Sequence, residues 1–134
     1  VYAAGTAYTL TNTSAQVTFG TTSPIRVIDS AGTYLITVRC LVDYSAATVS
    51  AETATIKLRR TNNTAADVTG ATTTIDLPVA TTLTHSYGSV TLPPVLYVTT
   101  ASDDSLSIFA NVSATLGAGS IKISDASIVA VRIR

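Results

Sequence analysis

Tryptophan and methionine are absent from the 134-residue chain, cysteine and histidine occur once each, and only 12% of the residues are charged. Each shortage excludes something. A lone Cys40 leaves no intrachain disulfide framework and no cysteine-based zinc site. A lone His85 forces any nucleophile triad or zinc centre through one Thr/Ser-rich stretch with no Asp, Glu or Cys near it in sequence. General acid–base chemistry uses a pair of protonatable groups, and none is legible, so no catalytic residue, cofactor or metal is expected. Eight basic residues cancel eight acidic ones. Phosphate backbones select a basic excess, and the only local cluster, Lys57, Arg59 and Arg60, is too short to form a groove, so no nucleic acid is expected. No run approaches the roughly 20 apolar residues that span a bilayer, so no membrane is expected either. The opening VYAAGTAYTL lacks the basic start of a signal peptide. Without an initiator methionine the chain is expected to be processed or part of something longer.

What is present is an alphabet for sheets. The hydrophobic fraction is 46%, carried mainly by Ala, Val, Ile and Leu, while Thr and Ser supply most of the polar surface. The length fits one domain over residues 1–134, large enough to bury a core without staples. Residues 1–24 read as a peripheral N-terminal arm or as edge strands. A free monomer of near-zero net charge tends to self-associate, so the low charge points to life inside an assembly. The alternative is a soluble protein kept dispersed by its hydroxyls and amides.

No segment repeats apolar residues at helical spacing, and period two runs throughout. From Thr33 to Tyr44, Tyr34, Ile36, Val38, Cys40, Val42 and Tyr44 point one way, and Leu35, Thr37, Arg39, Leu41 and Asp43 the other. The first set reads as core, with Cys40 a small buried hydrophobe. Leu35 and Leu41, set among Arg39 and Asp43, imply that the second face is half covered by a strand, a loop or a neighbouring subunit. Ala54, Ile56 and Leu58 form the inner side of a strand ending at Arg60, and TNNTAADVTGATT reads as a turn-rich loop. Ile75 to Leu77 is short and stops at Pro78. Leu83 to Leu92 is extended, with a bulge or bend expected near Tyr87 and Gly88, and Pro93 and Pro94 end it. Leu96 to Thr100, then Leu106 to Val112, then Ile121 to Ile133 complete the series. With shorter pieces at Ala7 to Thr11, Gln16 to Phe19 and Ile25 to Ile28, this predicts an all-β sandwich or barrel of about 8–10 strands and no significant helix.

Five residues are candidates for an oligomer interface: Leu35, Leu41, Tyr87, Tyr97 and Phe109. Aromatics favour interface cores, and for Tyr87, Tyr97 and Phe109 the competing reading is that they cap the sandwich core. The loop from Arg59 to Asp67, with Arg59, Arg60, Asn62 and Asn63, is the candidate for partner contact. Asp103, Asp104 and Ser105, joined by Asp43 or Asp125, have the oxygen chemistry of a calcium site, against which stands an ordinary solvated turn. The sequons at Asn12, Asn62 and Asn111 are expected by chance in a chain this rich in Thr and Ser.

The segment Ser30-Ala31-Gly32-Thr33-Tyr34-Leu35-Ile36 resembles the "Gly, any, Tyr" opening of the second main strand in jelly rolls of the tumour-necrosis-factor and complement-globular-head type. Gly88-Ser89-Val90 with Leu92, and the Asp103-Asp104 turn into Leu106-Ser107-Ile108, are similar to its middle strands, and Ser127 to Ile133 to its last strand. The resemblance covers Ile25 to the end. The chain departs from the eukaryotic members in lacking their aromatic richness, disulfides and secretion signal, which argues against a receptor-activating cytokine. Its Thr/Ala/Ser-rich, lysine-poor texture, as in AGTYLITVRCLVDYSAAT and KLRRTNNTAADVTG, is similar to small virion proteins of tailed bacteriophages that use this jelly roll. The resemblance implies a two-sheet antiparallel jelly-roll sandwich made in the host cytoplasm and mounted on the virion surface as a homotrimer. It would bind coat subunits as a capsid decoration protein, or a host-surface receptor or glycan as a fibre or spike tip.

Overall fold

A computed structural model describes residues 7–19, 21–46, 52–62, 64–77, 84–100, 104–113 and 120–134. Among them there is no helix. Ten strands follow one another: β1 (Tyr8–Thr9), β2 (Ala15–Gln16), β3 (Ile25–Ile28), β4 (Gly32–Ala46), β5 (Glu52–Arg60), β6 (Ala66–Leu77), β7 (Thr84–Thr91), β8 (Val95–Thr99), β9 (Asp104–Val112) and β10 (Ser120–Arg132). Sheet A runs β1-β10-β4-β7, with β8 following β7 along the same edge of β4. Sheet B runs β2-β9-β5-β6, with β3 beside β2 along β9. Every pairing is antiparallel.

The pairings make one long ribbon folded over on itself. Its rungs are β1 with β10, β2 and β3 with β9, β4 with β7 and β8, and β5 with β6. Along the chain, successive rungs alternate between the sheets and end at the β5–β6 hairpin, an order compatible with a jelly roll. The sheets pack face to face as an all-β sandwich.

The core follows from alternation. Tyr34, Ile36, Val38, Cys40 and Val42 of β4 meet Ala54, Ile56 and Leu58 of β5 and Leu106, Ile108, Ala110 and Val112 of β9, all buried. Leu10, Val17 and Phe19 add to it from the first twenty residues. In β10 the alternation changes phase. Register shifts between Ile123 and Asp125, so Ser124 is a bulge and the inward set passes from Ile121 and Ile123 to Ala126, with Ile128 and Ala130 packed against the core. A one-residue insertion sends every later side chain to the opposite face. Val129, Val131 and Ile133 therefore point outward.

Two sequence expectations are corrected. The stretch read as a long loop after Arg60 is mostly β6, and only residues 61–65 connect it to β5. Its pairing skips from Lys57↔Thr72 to Arg59↔Asp67, so residues 68–71 bulge opposite Leu58. Gly70 sits there at φ +83°, a conformation that side chains resist, while Val68 and Ala71 turn inward. The bulge expected near Tyr87 and Gly88 does not occur. β7 pairs with β4 without interruption from Arg39↔Thr91 to Ala46↔Thr84.

Candidate functional site: the outer face of sheet A

Three rows of cross-strand neighbours build an apolar surface where β10, β4 and β8 run side by side. Val131, Leu35 and Leu96 form one row. Thr33 and Val98 form the next, joined by Ile133, whose amide donates to the Thr33 carbonyl at 2.9 Å. Val129 and Thr37 form the third. All six apolar side chains are exposed, Leu96 and Val98 the most at 65% and 67%. Together they present on the order of 500 Å² of apolar surface, near the upper end of what a monomer shows and a size often tied to function.

The end of the chain is held in place to carry this surface. A Cβ on Gly32 would lie 2.6 Å from the Arg134 carbonyl oxygen, so only glycine admits the last residues here. The Thr33 amide donates to that same oxygen at 3.0 Å, and Arg132 Nη2 donates to the Ala31 carbonyl at 3.0 Å.

Farther along the same face the character turns polar. Ser127 and Arg39 form one row and Asp125 and Leu41 the next, and these four line a depression of about 190 Å³. Arg39 Nε donates to Ser89 Oγ at 2.8 Å. Asp125 Oδ1 is buried with no hydrogen-bond partner. Behind it, the Cys40 thiol is pushed up to about 12, first by burial and then by the charge of Asp125.

The five interface candidates are not brought together. Leu35 and Leu41 share this face. Tyr87 pairs in register with Asp43, but its side chain lies outside the described residues. Tyr97 turns inward against the core, and its hydroxyl donates to Asp104 Oδ2 at 2.7 Å. Its phenol is pushed up to about 12 by burial, then by the hydrogen bond and charge of Asp104. Phe109 lies on the outer face of sheet B, with Arg59 stacked 5.3 Å from its ring centroid. Leu96, Val98, Val129, Val131 and Ile133 were missed. In β8 the opposite positions are apolar too, and in β10 the opposite set ends in Arg132 and Arg134, so the pattern alone points Val129, Val131 and Ile133 inward.

The partner-contact candidates also change character. Arg59 and Arg60 close β5, the strand expected to end at Arg60, so the connection to β6 starts after them, and Asn62 is tied down by accepting the Ser105 amide. Asn63 lies outside the described residues. Arg60 Nε donates to the Thr64 carbonyl at 2.7 Å, and Arg60 lines a cleft of about 260 Å³ with Asp67, Thr69, Tyr97 and Val98. Asp103 and the side chain of His85 are outside the described residues. Asp104 is no solvated turn residue: it opens β9 at 1% exposure. Among the described residues, no three His, Cys, Asp or Glu side chains gather as a metal site would require.

No protein-family model matches the chain, and no curated protein matches it in sequence.

Proposed function

We propose that this chain is a non-enzymatic structural protein of a virion, a capsid decoration protein of a tailed bacteriophage that binds coat subunits as a homotrimer on the particle surface. The observation that carries the reading is the apolar outer face of sheet A. Six exposed aliphatic side chains in three adjacent rows are costly on a free protein with almost no net charge to keep it dispersed. They are at home in a protein that is always covered. The jelly-roll wiring and the texture shared with small phage virion proteins supply the viral part of the reading.

The mechanism is linkage. A protein that binds only assembled coat lowers the free energy of the shell by an amount that grows with its concentration over its dissociation constant. A second reading, a fibre or spike tip that binds a host glycan, is favoured by the cleft lined by Arg60, Asp67, Thr69 and Tyr97. Mass and particle stability test the first. Light scattering on the purified protein is expected to return three times the 13.8 kDa chain mass, and particles lacking it are expected to release their genome at a lower temperature. Equal heat stability with and without the protein would remove the decoration role.

A further inference from the structure

We infer that a second copy of this chain covers the outer face of sheet A, and that its Arg39 supplies the donor that Asp125 Oδ1 lacks. This rests on the assembly reading above and goes further by naming the occupant and the polar contact that fixes it.

Area and shape come first. About 800 Å² per partner is usual for a stable interface, and the apolar rows provide roughly half of that. The rest is at hand in Thr33 and Thr37 within those rows and in Arg39, Leu41 and Ser127 beside them. The side chains are short and mostly branched on a flat sheet, a form that packs against another sheet face.

Charge decides the occupant. Arg39 and Asp125 line the same depression, yet they form no ion pair with each other. A buried acceptor without a donor is destabilising. Asp125 as a residue is half-buried and lines the depression, so turning its carboxylate presents that oxygen to a donor arriving there. An unrelated partner bearing one sign of charge would answer either Arg39 or Asp125 and bury the other unpaired. A second copy carries both. Around the three-fold axis, Arg39 of each copy faces Asp125 of the next, so every copy is satisfied alike.

The test is a charge exchange followed by sedimentation equilibrium on the full chain, with thermal melts to establish that each variant is folded. Asp125→Arg and Arg39→Asp are each expected to weaken self-association at least tenfold, and the double variant to recover to within about threefold of the wild type. Should Asp125→Arg not fold, Asp125→Asn and Arg39→Gln take its place, each weakening association and the pair weakening it no further than either alone. Single variants that associate like the wild type, or a double variant no better than the singles, overturn the inference. If Leu96→Lys dissociates the protein and Asp125→Arg does not, this contact falls while the assembly reading stands. A wild type that stays monomeric at the highest concentration reached removes both.

Discussion

On the outer face of sheet B, the groups that stand at the centre are answered from within the chain. Arg59 lies over Phe109, Lys57 Nζ reaches Asp67 Oδ2 at 2.8 Å with Arg59 at 3.6 Å, and Gln16 Nε2 donates to Ser107 Oγ at 3.0 Å. Among the described residues, exposed large aliphatics occur there only on the edge strand β3, at Ile25 and Val27. The outer face of sheet A has the reverse finish. Six aliphatic side chains stand in solvent in contiguous rows, and beside them a buried carboxylate oxygen has no donor. Both sheets come from one alphabet and share one core, so composition does not explain the difference. The teaching is that a finished surface closes its own polar contacts, whereas a surface built for a partner leaves them open. Burying about 500 Å² of apolar surface is worth on the order of 10 kcal/mol of gross transfer free energy, much of which the entropy of association consumes.

The contrast breaks most sharply under lysine substitution. Leu96→Lys combined with Val131→Lys places two charges in one row of the apolar surface, and self-association is expected to weaken at least a hundredfold while the far-ultraviolet spectrum keeps its β signature. Thr74→Lys, on the exposed side of β6 in sheet B, is expected to leave the mass unchanged. If Thr74→Lys dissociated the protein and the sheet A pair did not, the roles of the two faces would be exchanged.

A second difference lies beneath the surface, in groups anchored to sheet A that resist losing a proton. The Cys40 thiol and the Tyr97 phenol are both pushed up to about 12 from ordinary values of 9.0 and 10.0. A folded-state value above the unfolded one means that stability is fully present below the unfolded value and is lost as pH rises toward the folded one. The melting temperature is therefore expected to hold steady up to about pH 9 and then fall by several degrees toward pH 12. Cys40→Val and Tyr97→Phe should each flatten part of that decline. A decline of equal depth in both variants would show that the loss arises elsewhere.

The sequence made sheet A's inner side plain and its outer side only half so. Cys40 and its neighbours were legible because β4 alternates apolar residues with Arg39 and Asp43. Leu35 and Leu41 stood out as apolar residues on the polar side of that pattern. Val129, Val131 and Ile133 did not, because the Ser124 bulge reverses the phase of β10 and a single inserted residue leaves no mark in composition. Tyr97 reads equally as an interface residue or as a cap on the core, since Val95 to Thr99 is apolar on both sides, and the tie to Asp104 fixes its direction. β6 was lost to its own chemistry: Thr, Asp and Gly at that density favour turns locally, and it becomes a strand through long-range pairing with β5.

The smallest expected effect bears on Phe109, the one interface candidate that lies on the finished face. It is half-buried, flanked in register by Lys57 and Gln16, and roofed by Arg59. Phe109→Ala removes the ring from beneath the guanidinium, a contact worth about 0.5–1 kcal/mol at an exposed site, together with part of the transfer free energy of a half-buried aromatic. A loss of about 1–2 kcal/mol by chemical denaturation is expected, compared at one protein concentration so that association does not enter. The mass should not change, since Arg59 keeps its approach to Asp67 and the apolar rows on sheet A are untouched. The competing expectation, that Phe109 lines the axis of the assembly, requires monomers from this same variant. Light scattering on Phe109→Ala thus decides which face the oligomer uses: full mass with reduced stability keeps the assembly on sheet A, and dissociation with unchanged stability moves it to sheet B.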